Sequence, residues 1–215
     1  METRMEQHDL RVEKTARYFV LGPGEPVGRL WALHGYGQLP QYFLRRFEAA
    51  AAAGWQVVAP EGLHRFYVQG TSGRVGASWM TREEREADMA DYVRYLDQSH
   101  HQLPPLPGPE LLLGFSQGVA TAARWACRGR ARFDALIYWS GVFPPDLNLE
   151  SEWPRMQGVR TYIALGDEDA FFDDSLIQST QSTFESNGIE HEIIRFSGGH
   201  VVDSDALDHV LSAFL

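Results

Sequence analysis

At 215 residues with 44% hydrophobic side chains, the chain can bury a sizeable core and is expected to form a single domain over residues 1–215. Its formal net charge of −10, with no local basic stretch to offset it, argues against nucleic acid or an anionic membrane as a partner. One cysteine, Cys127, excludes an internal disulfide. The first fourteen residues are polar and mixed in charge, without the apolar segment of a signal peptide, and no apolar run is long enough to span a bilayer. Cytoplasmic residence is therefore the expectation, and the sequence leaves monomer and homodimer both open.

Apolar runs at 16–21 and 29–34 predict the first two strands. The second runs into His34-Gly35-Tyr36-Gly37-Gln38, whose glycines let backbone come close to a substrate carbonyl, so the Tyr36 amide is a candidate oxyanion donor. A helix is expected from Pro40 through the alanines to residue 53, then a strand at 56–59. Residues 62–80 carry no regular pattern. Thr81 with Glu84 reads as a capping box opening a helix with Met89, Tyr92, Val93 and Leu96 on one face. The proline-rich stretch 103–109 reads as a stiff loop rather than a domain linker.

The most informative segment follows. Leu111-Leu112-Leu113 is an apolar strand leading into Gly114-Phe115-Ser116-Gln117-Gly118. Beyond it, Val119, Ala122, Ala123, Ala126 and Cys127 fall on one stripe of a helix. Strand, G-x-S-x-G turn and helix in that order make a nucleophile elbow: a Cβ at either glycine would crowd a turn that forces Ser116 into a strained conformation and projects its hydroxyl above the sheet. The amide of Gln117, next after the serine, is the second candidate oxyanion donor.

A serine hydroxyl needs an imidazole to take its proton and a carboxylate to fix that imidazole's tautomer. The next strands, at 135–139, 161–165 and 192–196, supply both. The second ends in Gly166-Asp167-Glu168-Asp169 and the third in Ser197-Gly198-Gly199-His200, beyond strand C-termini where open parallel sheets place their chemistry. Residues 142–158 are unassigned, and the last helices are expected at 174–187 and 203–214. His34 lies on the wrong side of Ser116 in chain order to be its base and reads as a loop brace. Cys127 reads as a small core residue. His100 and His101 do not converge on one ion, and a cation among Asp167, Glu168, Asp169, Asp173 and Asp174 would neutralise the acid the histidine needs, so no metal or cofactor is assigned.

With these residues in place, the chain resembles the phospholipase/carboxylesterase group of the α/β-hydrolase superfamily, which includes acyl-protein thioesterases. The matching stretches are Leu33-His34-Gly35-Tyr36-Gly37, Ala59-Pro60-Glu61-Gly62, Gly114-Phe115-Ser116-Gln117-Gly118, Ser140-Gly141, Gly166-Asp167-Glu168-Asp169 and Gly198-Gly199-His200. The resemblance implies an α/β fold with a mostly parallel central sheet of about seven strands, helices on both faces and no cap domain. It also implies Ser116 as nucleophile, Asp169 as acid and His200 as base, acting on ester or thioester substrates. Two segments depart from the family pattern. Ala77-Ser78-Trp79-Met80-Thr81 stands where a tryptophan is usually followed by Phe or Tyr and Asp, and Ala170-Phe171-Phe172 is bulkier than the usual aliphatic pair. Both are expected to border the acyl groove, with Trp79, Phe143, Phe171 and Phe172 as substrate-binding candidates. The alternatives are a peptidase or lactonase on the same triad, or a catalytically silent hydrolase fold used as a binding module. A degenerate member would normally have lost a triad residue, and all three stand here.

Overall fold

The computed structural model describes residues 3–215; Met1 and Glu2, the start of the polar first stretch, lie outside the described residues. The described strands are β1 (Tyr18–Leu21), β2 (Gly28–Leu33), β3 (Trp55–Pro60), β4 (His64–Tyr67), β5 (Val75–Ser78), β6 (Glu110–Phe115), β7 (Ala135–Trp139), β8 (Arg160–Gly166) and β9 (Glu192–Phe196). Seven of them form one sheet in the order β1-β3-β2-β6-β7-β8-β9, with β1 antiparallel to β3 and every other pair parallel. This is the α/β-hydrolase architecture, and among the described residues there is no cap domain. No described helix is long and apolar enough to cross a membrane.

The strands bury both faces because their side chains alternate between two cores. Trp31 and Leu33 of β2 point into one, and Leu30 and Ala32 into the other. The first core is covered by α3 (Arg85–Gln102), α4 (Gln117–Arg128) and α6 (Asp174–Ser186). Opposite lie α1 (Pro40–Phe43), α2 (Glu48–Ala52) and α7 (Ser204–Ser212). A short helix, α5 (Leu149–Glu152), lies in the stretch left unassigned after β7. The apolar stripe of α4 is buried as expected, and burial pushes the Cys127 thiol up to about 12, which leaves it without thiolate character at neutral pH.

Three local expectations are corrected. The helix expected from Pro40 to residue 53 is broken by a 3₁₀ turn, Leu44–Phe47, which brings Leu44 and Phe47 onto the sheet beside Phe43. The capping box does not form. The Thr81 hydroxyl accepts from the Glu83 amide at 3.2 Å, while Glu84 adopts a left-handed φ of 51° and α3 starts only at Arg85. A hydroxyl that bonds its own turn offers the backbone an alternative to the helix. Residues 62–80 hold the antiparallel hairpin β4–β5, which becomes part of the site's framework.

Candidate active site

Ser116 sits between β6 and α4 at φ 54°, ψ −116°, a backbone conformation that costs a non-glycine residue about 1–3 kcal/mol. The surroundings over-determine it. A Cβ on Gly118 would lie 2.2 Å from the Leu33 carbonyl oxygen, and one on Gly114 would lie 2.3 Å from that of Gly118. Only glycine lets α4 start this close to β2. Gly118→Ala is expected to destabilise the fold by about 1–3 kcal/mol, because the clash with backbone outweighs the gain in helix propensity. Denaturant midpoints of variant and parent check this.

The loop after β2, which carries the candidate oxyanion donor Tyr36, is fixed by the hairpin. The Gly37 amide donates to the Ala77 carbonyl at 2.8 Å, and the Ala77 amide donates back to Gln38 at 3.0 Å. The side chain of Gln38 accepts from the Gly35 amide at 2.8 Å. Gly35 packs directly on Ser116, since a Cβ there would stand 3.0 Å from the Ser116 Cβ. Among the described residues neither the Tyr36 amide nor the Gln117 amide has a hydrogen-bond partner. Two free N–H groups thus flank the serine, one of them at the positive end of α4. Gln117 is also anchored through its side chain, which donates to the Met80 carbonyl at 2.9 Å and accepts from the Trp79 amide at 3.2 Å.

His34 is fully buried, which lowers its pKa to about 4 against the opposing pull of the Gly35 carbonyl and Glu61. Neutral, it donates from Nδ1 to the Gly35 carbonyl at 2.8 Å and accepts at Nε2 from the Gly62 amide at 3.0 Å. This is a brace for the loop, with no ring nitrogen left for chemistry.

The acid and the imidazole meet on the other side of the elbow. His200 Nδ1 lies 2.8 Å from Asp169 Oδ2, and the Asp169 side chain is fully buried. Its other oxygen, Oδ1, accepts from the amides of Phe171 at 2.9 Å and Phe172 at 3.2 Å. Burial pushes the Asp169 pKa up, but the His200 hydrogen bond, the Phe171 amide and the His200 charge together hold it below the ordinary 3.8. Asp167 acts elsewhere, since its Oδ1 accepts from the Gly198 amide at 2.9 Å and so ties the acid loop to the histidine loop. The His200 ring is packed by Phe115 at 4.7 Å, the residue before the serine, and by Phe171 at 4.8 Å. No hydrogen bond joins Ser116 to His200 in this conformation; such contacts commonly tighten only once substrate is bound.

Two substrate-binding expectations are corrected. Trp79 is fully buried, its indole donating to the His34 carbonyl at 2.8 Å and its ring tilted against that of His34 at 5.0 Å, so it braces the loop after β2. Phe143 is buried against Tyr138 and Phe184, with centroids 5.5 and 4.9 Å away, and belongs to the core. Phe171 is exposed beside His200, while Phe172 lines a cavity of about 400 Å³ that opens at Ser116. Sequence reasoning missed four other residues of that cavity, Arg82, Arg85, Thr121 and Arg124. The one sequence signal was Arg124, a charge set between Ala123 and Trp125 in an otherwise apolar stripe.

Both depressed pKa values make stability fall on acidification. A group whose folded pKa lies below its unfolded value stabilises fully above the unfolded pKa and ceases to as pH drops through the folded one. His34 therefore contributes on the order of 3 kcal/mol above pH 6.5 that is lost on approach to about pH 4. Asp169 adds a further loss below 3.8. Chemical denaturation at about pH 7, about pH 5 and about pH 4 is expected to show a stability that declines before any carboxylate titrates. His34→Gln is expected to flatten the upper part of that decline.

Comparison with known proteins agrees with this fold. The chain is similar to the solved structures of Zea mays acyl-protein thioesterase 2 (18% identity over 93% of this chain and 99% of that one, TM-score 0.73) and of the esterase PE8 (21%, 95% and 100%, TM-score 0.71). It is also similar to a phospholipase/carboxylesterase from Dyadobacter fermentans (14%, 93% and 96%, TM-score 0.62). At these identities the likeness carries the fold. No curated protein matches the chain significantly. Residues 26–209 match the family described as serine hydrolase (FSH1), a span that contains the elbow, the acid and the histidine. The chain belongs to the FSH1 serine hydrolase family.

Proposed function

We propose that the chain hydrolyses carboxylic esters, thioesters included, through an acyl-enzyme on Ser116. In this reading Ser116 Oγ attacks the substrate carbonyl carbon as His200 Nε2 takes its proton. The negative charge that develops on the carbonyl oxygen is met by the amides of Tyr36 and Gln117. Collapse of the tetrahedral intermediate breaks the bond to the leaving group, to which His200 returns the proton. Water, activated by the same ring, then attacks the acyl-enzyme and regenerates Ser116. Asp169 holds Nδ1 protonated so that Nε2 can act as base.

The observation that carries the reading is the 2.8 Å bond from His200 Nδ1 to a buried carboxylate, beside a serine held at a strained elbow. A carboxylate taken out of water is costly unless every lone pair is used, and Asp169 uses its oxygens on one imidazole and two amides. Such an arrangement fixes one tautomer, and unlike His34, whose two ring nitrogens are both engaged, His200 has no partner at Nε2 among the described residues. A panel of p-nitrophenyl esters from acetate to long chain, beside a thioester, tests the proposal; no turnover of any member by folded protein would contradict it.

Chain-length preference supplies a further prediction. Phe172 closes one wall of the cavity at Ser116 and Phe171 stands over His200, so short to medium acyl chains are expected to be preferred. Phe171→Ala and Phe172→Ala are each expected to move the optimum to longer chains. Unchanged profiles in both variants would place the rings outside the acyl path.

A further inference from the structure

The cavity at Ser116 concentrates positive charge in a chain whose net charge is −10. Its lining includes Arg82, Arg85 and Arg124, and no carboxylate is among the described residues that line it. The three arginines differ in how far they are neutralised. Arg124, buried, grips Asp146 with Nε at 3.1 Å and Nη2 at 2.5 Å. Arg85 shares the same carboxylate at 3.0 Å, and its buried Nε lies 3.8 Å from Glu86, too far for a hydrogen bond. Arg128, behind them, takes Glu152 at 2.7 Å and also lies 3.4 Å from Asp146. Arg82 is exposed and makes no hydrogen bond or ion pair with any described residue. Four guanidinium groups thus face three carboxylates. Glu83 and Glu84, next in the chain, line no part of the cavity, and Glu84 accepts from Gln7 instead.

A second, independent feature points the same way. Thr121 lines the cavity, is buried, and its hydroxyl has no partner. Buried donors left unpaired are destabilising until an acceptor reaches them. An unpaired hydroxyl and an uncommitted arginine around one small cavity are donors without an acceptor, and guanidinium matches planar or tetrahedral oxyanions best.

We infer that this cavity selects substrates carrying, besides the scissile ester, an anionic oxygen group, a carboxylate or a phosphate monoester, bound by Arg82 and Arg85 with Thr121 as a further donor. The inference rests on the reading of Ser116 as nucleophile. It makes Arg82 a specificity residue, because the other arginines are already engaged by Asp146 and Glu152.

The test compares kcat/KM for ester pairs that differ only in charge. Monoethyl glutarate and monoethyl adipate, with the anion on the acyl side, are set against ethyl esters of neutral acids of equal length. The acetyl esters of 3-hydroxypropionate and of glycerol phosphate place a carboxylate or a phosphate on the leaving side. At least one anionic ester is expected to exceed its neutral counterpart by about tenfold, the scale of a charge-assisted contact. That ratio is expected to fall toward one in Arg82→Gln, to be partly kept in Arg82→Lys, and to shrink as salt rises to about 0.5 M. Neutral esters turned over as well as or better than every anionic one would overturn the inference and leave the hydrolase reading standing. Calorimetry on folded Ser116→Ala protein with glutarate and with glycerol phosphate separates the two in the other direction. Binding that is lost on adding Arg82→Gln upholds the anion site even if no ester is hydrolysed, and no binding of either anion overturns it.

Discussion

Ser116→Ala is expected to lower ester turnover by about 10⁴-fold or more while leaving the fold intact. The serine hydroxyl makes no hydrogen bond to a described residue, so its removal leaves no partner unpaired. The backbone strain at φ 54° is carried by the Cβ, which alanine keeps, and the interlocked Gly114 and Gly118 are untouched. Stability should therefore change by no more than about 0.5 kcal/mol. Turnover, by contrast, would lose the atom proposed to form the acyl bond, and the residual rate would come from the oxyanion donors and substrate binding alone. Substantial esterase activity in a folded Ser116→Ala protein would remove the serine from the mechanism.

Asp169→Asn is expected to cost about 10⁴-fold in turnover, and the hydrogen bonds around the carboxylate say why. Oδ1 accepts from the amides of Phe171 and Phe172, both of them donors that cannot reverse. An asparagine must keep its carbonyl oxygen on them, which turns its NH₂ toward His200. Nδ1 then has to accept, the proton moves to Nε2, and the ring presents a donor where the serine needs a base. Asp167→Asn differs, because the one hydrogen bond of that carboxylate among the described residues comes from the Gly198 amide, which an asparagine carbonyl oxygen can accept equally. Its activity loss is expected to stay within about tenfold and to come from a loosened histidine loop. Kinetics of the two variants, each checked by circular dichroism, separate them; the larger loss in Asp167→Asn would reverse the assignment of the acid.

The sequence made the sheet legible because its central strands are buried on both faces and read as unbroken apolar runs, as at Leu111-Leu112-Leu113. Ser116 and Asp169 were legible for a related reason: each follows such a run, where a glycine-marked loop leaves the sheet. His200 follows the edge strand β9, whose exposed Glu192 and Arg195 interrupt the apolar pattern, and there the glycine pair before the histidine marked the loop. The hairpin β4–β5 was not. His64 and Arg65 are exposed, β5 is the small-residue run Val75-Gly76-Ala77-Ser78, and neither carries the alternation that announces a strand. Its reason for existing is nonlocal: Gly76 is glycine because a Cβ would lie 2.4 Å from the Gly37 carbonyl oxygen, in a loop far earlier in the chain. The same holds for Trp79. An aromatic ring in a loop over a sheet suits groove or core equally, and only its bond to the His34 carbonyl decides for the core. The failed capping box shows the local counterpart, a threonine hydroxyl captured by the Glu83 amide within its own turn. The arginines around the cavity come from α3, from α4 and from the turn before α3, and no spacing in sequence shows that they converge.

Covalent labelling with a fluorophosphonate probe, followed by peptide mapping, tests the central claim most directly, because it reads nucleophile activation without needing the natural substrate. One label per chain on Ser116 is expected, lost in His200→Gln protein that remains folded. A folded parent protein that takes no label, or takes it at another residue, would contradict the account.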